Sequence, residues 1–208
     1  MSDTRTVTAE GARRALNIAF KKKRPIFLWG PPGIGKSELV AGIANSGELG
    51  NACVIDMRMA LLEPTDVRGY PVPDLETGTM RWLPDGQLPD EMFASQYDTI
   101  VLFMDELNSA APATQAASYQ LVLNRKVGQY KLPDNVVIVA AGNRETDKGV
   151  TYRMPSPLAN RFVHIEMRVD YDSWLNWAVD NNINKDVVGY ITSNKQDLFD
   201  FDPRSSSR

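Results

Sequence analysis

The chain has one cysteine, one histidine, little net charge and no long apolar run, and each shortage closes a class of function. Cys53 has no partner for an internal disulfide, so a crosslinked framework is excluded and a reducing cytosol is the expected compartment. His164 lies inside an alternating strand pattern; its ring is expected to be satisfied locally and it is assigned no catalytic role. A net charge of −3 gives no general attraction to nucleic acid or to anionic membrane. No apolar stretch approaches the ~18 residues of a membrane span. The start, MSDTRTVTAE, lacks the apolar core of a signal peptide, so the cytoplasm is the expected location.

What is present reads as one domain of ordinary size with a small appendage. Hydrophobic residues at 43% and charged residues at 24% suit a chain that buries a real core. One basic run, Lys21-Lys22-Lys23-Arg24, closes a helical pattern, and favourable placement at a helix C-terminus is preferred to a polyanion patch. In that first helix Ala12, Ala15, Leu16, Ala19 and Phe20 share a face, and Pro25 ends it. IFLW (26–29), CVI (53–55), IVLFM (100–104) and VVIVAA (136–141) are short and apolar, as strands buried on both faces should be. Helical segments fall between them at 36–44 and at 113–125 after Pro112. FVHIEM alternates and reads as a fifth, less deeply buried strand. The alternation predicts an α/β fold with a largely parallel sheet.

Two stretches break the pattern. Residues 66–90 are crowded with Pro, Gly and Asp, and DLETGTM within them predicts a hairpin turn inside a long, irregular, functional loop. Its aromatics Tyr70 and Trp82 either line a pore or pin the hairpin, with pinning favoured; Asp66 and Arg68 are alternatives for subunit contacts. After Met167, Trp174, Trp177 and Ala178 recur at helical spacing, and the two tryptophans are expected to pack a small helical piece.

The sharpest chemical signal is GPPGIGKS, Gly30 to Ser37, which fits G-x-x-x-x-G-K-[ST] and stands between a predicted strand and a predicted helix. Gly30, Pro31, Pro32, Gly33, Ile34 and Gly35, with Lys36, Ser37 and Glu38 at the helix start, form the expected nucleotide-binding set. Backbone N–H groups turn inward around phosphate oxygens, Lys36 reaches the β- and γ-phosphates, and the Ser37 hydroxyl ligates Mg²⁺. IVLFMDELN puts two adjacent carboxylates at the C-terminal end of a buried strand, where parallel sheets bind ligands. Asp105 is expected to hold the Mg²⁺ shell and Glu106 to polarise the attacking water; transfer to a substrate hydroxyl would not need that glutamate, whereas hydrolysis does. VVIVAAGNR ends a further strand at Asn143, whose amide is expected on the same sheet edge, orienting the water. An asparagine before a loop is also ordinary turn chemistry, and its place downstream of the other motifs favours the functional role.

In this order, GPPGIGKS, DE after a strand, Asn143 and SPLANRF before the fifth strand closely resemble the AAA+ ATPases. LLEPTDVRGYPVPD followed by WLPDGQLPD, with VVIVAAGNR, is similar to the MoxR group of that family. The resemblance covers about residues 8–168. It implies a P-loop NTPase domain at 1–168, with sheet order 5-1-4-3-2, flanking helices and an insertion at about 66–90. It also implies a partial helical lid at 169–208, ATP hydrolysis with Mg²⁺, and assembly as a ring, usually hexameric. The work implied is remodelling or maturation of a protein partner, for MoxR relatives one with a von Willebrand factor A domain. Asn143 becomes sensor 1. Arg161 becomes the finger that enters the neighbouring subunit's ATP site, which answers why no acidic residue stands near it in sequence; Arg144 and Arg153 are rival fingers. Alternatives are a nucleic-acid motor or loader, supported by Lys21 to Arg24 alone, and an ATP-gated switch with little turnover, against which Glu106 and Asn143 argue. The family's lid is larger than residues 169–208 and carries a second sensor arginine; Arg204 in DPRS resembles it superficially, and the sequence is expected to stop before the true one.

Overall fold

The structure, a computed structural model, describes residues 5–83, 86–147 and 151–200. Strand β1 (Arg5–Val7) leads into helix α1 (Ala9–Lys21), followed by β2 (Ile26–Trp29), α2 (Lys36–Asn45) and β3 (Ala52–Arg58). A short helix α3 (Pro64–Arg68), strands β4 (Tyr70–Asp74) and β5 (Thr79–Leu83) and helix α4 (Glu91–Ala94) come next. Then follow β6 (Thr99–Asp105), α5 (Pro112–Asn124), β7 (Lys126–Val127), β8 (Tyr130–Lys131) and β9 (Val136–Gly142). The described chain closes with α6 (Ser156–Ala159), β10 (Val163–Met167), α7 (Tyr171–Asp180) and α8 (Lys185–Ser193).

Six strands make one parallel sheet in the order β1-β10-β2-β9-β6-β3. Leaving out β1, this is the 5-1-4-3-2 order expected. Strand β1 itself was not foreseen: RTV is too short and polar to announce a strand, and it pairs with β10 at the sheet margin.

The central strands are apolar throughout because both faces are covered. On one face α1 and α2 bury Leu16, Phe20, Val40 and Ile43 against Ile26, Leu28, Val101, Phe103 and Val139. On the other, Leu121, Val122, Leu158 and Phe162 pack on Phe27, Leu102, Met104 and Ile138. In α1, Thr8 Oγ1 caps the start by accepting from the Gly11 N–H, and Lys21 is the last residue, so the basic run lies at the helix C-terminus as its favoured reading required. Strand β10 shows the expected alternation in part, with Ile165 and Met167 buried and Val163 49% exposed.

The 66–90 stretch is more ordered than its composition implies. Its hairpin forms about residues 75–78, with Tyr70 opposite Leu83 and Asp74 opposite Thr79. Pro71 and Pro73 are tolerated because a two-stranded ribbon leaves each strand an unpaired edge. Tyr70 donates its hydroxyl to Asp66 at 2.9 Å, and half-buried Trp82 lies against Gly128 in the turn between β7 and β8, so both aromatics hold the insertion in place. Asp66 also accepts from the Glu63 N–H as part of the α3 cap. Beyond β10, Ala178 is fully buried, but Trp177 is 39% exposed and α8 buries no residue completely; the tryptophan pair packs less of this piece than expected. Among the described residues no helix is long and apolar enough to cross a membrane. Arg204 lies outside the described residues.

Candidate functional site

Parallel strands joined by crossovers bring their C-terminal ends to one edge of the sheet, and three adjacent ends, those of β2, β9 and β6, build the site. From β2 the chain enters the glycine-rich loop and then α2. Gly33 and Gly35 have φ of 75° and 90°, a conformation that side chains resist, which is why the loop needs glycine at those points. A cleft of about 330 Å³ opens there. Pro32, Gly33, Gly35, Lys36, Ser37 and Glu38 line its loop side; Asp105, Glu106, Gly142 and Asn143 line the other. Gly30 and Pro31 are buried behind it, and Ile34 turns toward the core.

Lys36 is 9% exposed, and its ammonium donates to the carbonyls of Gly30 (2.9 Å) and Pro31 (3.0 Å) and to Asn143 Oδ1 (3.1 Å). Burial pushes its pKa below the ordinary lysine value, opposed by the carboxylates of Asp105, Asp147 and Glu106. Ser37 donates its hydroxyl to Asp105 Oδ2 at 3.0 Å, so these two side chains already meet. A hydroxyl beside a carboxylate at the mouth of a phosphate-sized cleft suits Mg²⁺, which takes few protein ligands and completes its shell with water and phosphate oxygens. Asp56, on the neighbouring strand β3, has its carboxyl pKa raised by burial and by Asp105, with Arg58 opposing.

Glu106 is exposed and holds φ 55°, unusual for a residue with a side chain. Its N–H donates to Asp105 Oδ1 at 2.9 Å and its carbonyl accepts from the Ser109 N–H at 2.9 Å. Such a conformation costs roughly 1–3 kcal/mol and persists where surrounding bonds fix it. Asn143 is held from both sides: its side chain by Lys36, its carbonyl by the Asn108 amide at 2.8 Å.

The arginines separate clearly. Arg144 donates to Asp147 Oδ1 at 2.7 Å and to Glu166 Oε1 at 3.0 Å, and its backbone N–H donates to Asp147 Oδ2. That commitment within its own chain speaks against Arg144 as a finger, and it gives Glu166 its partner away from Arg161. Arg161 and Arg153 are exposed, with no side-chain hydrogen bond or ion pair among the described residues. Arg161 follows α6, outside the cleft. His164 is satisfied as expected: Nδ1 accepts from Trp29 Nε1 at 2.8 Å, and Nε2 donates to the Ala159 carbonyl at 2.8 Å. Sequence reasoning missed Asn108, Asp147 and Gly142. The one available signal was an amide, Asn108, in the turn just after a carboxylate pair.

A parallel sheet whose first core strand runs through a glycine loop into a helix, with carboxylates at a neighbouring strand end, defines a P-loop NTPase fold. The family model described as ATPase family associated with various cellular activities (AAA) matches residues 26–169, and the chain belongs to that family. Midasin from Giardia intestinalis is 29% identical over 209 residues, spanning 94% of this chain and 4% of that protein. Among solved structures, a candidate ATPase from Cytophaga hutchinsonii superposes with a TM-score of 0.58 at 20% identity, covering 86% of this chain and 52% of that one. NtrX from Brucella abortus in complex with ATP gives 0.53 at 15% identity, over 84% of this chain and 40% of that one. These two likenesses are of fold. The chain therefore spans about half of the first structure and a small fraction of midasin.

Proposed function

We propose that residues 1–168 are the nucleotide-hydrolysing domain of a ring-forming, MoxR-like AAA+ ATPase, and that residues 169–208 are part of its helical lid. The observation that carries this reading is the meeting of Lys36, Ser37, Asp105, Glu106 and Asn143 from three strand ends around one cleft.

ATP is bound by the Gly30–Glu38 loop, whose N–H groups and helix N-terminus favour phosphate. Lys36 exchanges its carbonyl partners for the β- and γ-phosphates. Ser37 and Asp105 would hold Mg²⁺, which would supply neutralisation of charge on the phosphate oxygens. Glu106 accepts a proton from the attacking water, and Asn143 orients that water against the γ-phosphate. Arg161 enters the site of the neighbouring subunit and stabilises charge on the transferring phosphoryl group; its exposure and lack of a partner among the described residues support that role. The client is a protein with a von Willebrand factor A domain, and the location is the cytoplasm; both follow from the sequence reading.

The test is ATP turnover by the full-length protein. Glu106→Gln should bind ATP as the wild type does and turn over at least a hundredfold more slowly, while Lys36→Ala should lose binding. Wild-type turnover by Glu106→Gln would sink the hydrolytic assignment. A pull-down with Glu106→Gln that recovers no protein carrying the named domain would remove the client; DNA binding that weakens steeply with salt and is lost on neutralising Lys21 to Arg24 would favour a nucleic-acid motor.

A further inference from the structure

Asn108 is a buried polar side chain, bonded to the cleft residue Asn143, that the roles above leave unused. It is 2% exposed, on the short turn that directly follows Glu106. Its side-chain Nδ2 donates to the Asn143 backbone carbonyl at 2.8 Å, and its backbone carbonyl accepts from the Tyr152 N–H at 2.7 Å. Its Oδ1 is buried with no hydrogen-bond partner and lies directly over Gly142, where a β-carbon would collide with Oδ1 and sit 2.8 Å from Cγ. A buried amide oxygen without a donor is unfavourable. An alanine would avoid that cost, so the contact with Asn143 is the function the side chain serves.

We propose that Asn108 is a positioning residue for hydrolysis. Its side-chain amide ties the strand end carrying Asn143 to the turn carrying Glu106, while its backbone carbonyl anchors the segment that leads through α6 to Arg161. The proposal rests on the reading that Glu106 and Asn143 flank the attacking water. Glu106 stands two residues before Asn108, Asn143 is its hydrogen-bond partner, and Arg161 lies nine residues beyond Tyr152. The buried side chain therefore joins two segments and the backbone of the same residue a third, and Gly142 is the space that admits the side chain. Misplacement of reacting groups by a fraction of an ångström to one ångström costs turnover far more than binding.

Aspartate offers a near-isosteric test. Ionised, Asp at 108 has no proton to donate and sets an anionic oxygen against the Asn143 carbonyl; protonated, it donates again. Burial raises a carboxyl pKa, which brings the recovery into a usable pH range. In the full-length protein, Asn108→Asp should keep ATP affinity within about threefold of wild type while kcat falls roughly tenfold to a hundredfold at pH 8. Its kcat relative to wild type should climb as pH is lowered toward 6. Asn108→Ala, which removes the same donor, should show the same split between binding and turnover, but with a deficit that does not recover at low pH. Wild-type turnover by Asn108→Asp at pH 8 overturns the proposal, as does a pH-independent deficit in which affinity and kcat fall together, the mark of a role in folding alone. Glu106→Gln in the same assay separates the two levels. If it is active, the reading of the site fails and the proposal with it; if it is inactive while the Asn108 variants are normal, the proposal fails alone.

Discussion

Replacing Arg144 and Arg161 in turn should produce opposite results. Arg144→Ala strips Asp147, whose side chain is 5% exposed, of its guanidinium bonds at 2.7 and 3.1 Å, and frees Glu166 from a 3.0 Å contact. Removing one partner of a wholly buried pair costs roughly 3–5 kcal/mol; the Arg144 side chain is 37% exposed, which discounts this to roughly 2–3 kcal/mol. At about 2–4 °C per kcal/mol for a chain of this size, Tm should fall by about 4–12 °C. Arg161→Ala removes a side chain with no partner among the described residues and should shift stability by no more than about 0.5 kcal/mol. Its turnover should nevertheless fall by about 10³- to 10⁵-fold, the range of an arginine finger. Mixing inactive Arg161→Ala with inactive Glu106→Gln should then restore ATPase activity, because in the proposed ring a mixed assembly would contain sites with an intact glutamate facing an intact finger. No recovery, with mixed assembly confirmed by mass, would refute a finger acting across a boundary at Arg161 and turn attention to Arg153; a Tm drop for Arg161→Ala like that of Arg144→Ala would reassign it to its own chain.

Further outcomes follow from two groups held by burial. Because the Lys36 pKa is lowered by folding, the folded chain binds fewer protons than the unfolded one between that lowered value and 10.5, so stability without nucleotide should rise with pH across this window. Phosphate oxygens beside Lys36 favour its charged form, so ATP binding should raise that pKa again and weaken as pH climbs toward 10.5; an ATP affinity that stays flat across this window would contradict the caged lysine. Tyr130 donates to the Pro89 carbonyl at 2.7 Å, and burial, with Glu91 and Asp90 near, raises its pKa well above the usual phenol range. Tyr130→Phe should therefore cost about 1–2 kcal/mol by thermal unfolding, equally at pH 7 and pH 9, by leaving that carbonyl unpaired.

The parts of the fold that sequence makes legible are those where one physical pressure dominates. Val136 to Ala141 is buried on both faces and reads as a strand from its apolar run alone; the loop from Gly33 to Gly35 reads from its need for positive φ. Lys36, Asp105 and Asn143 are legible because each directly ends or follows such an element. Strand β1 was not, and of the β4–β5 hairpin only the turn was, because a three-residue RTV and a strand with two prolines take their conformation from a pairing partner rather than from their own preference. Asn108 escapes for a related reason: its partners, Asn143 and Tyr152, are set by the crossing of separate segments, and no spacing along the chain encodes that meeting.

The sheet order has a consequence for solubility. An open parallel sheet presents two margins where a foreign strand can add, and among the described residues these are β1 and β3. Strand β1 is three residues long and begins with arginine, and β3 carries Asp56 and Arg58 toward its exposed end. Short length and charge at a margin are how natural sheets discourage strand-by-strand accretion. The ring proposed above would then have to close through loops and helix surfaces, where a rotation can return on itself, rather than through hydrogen-bonded edges, where growth has no natural end.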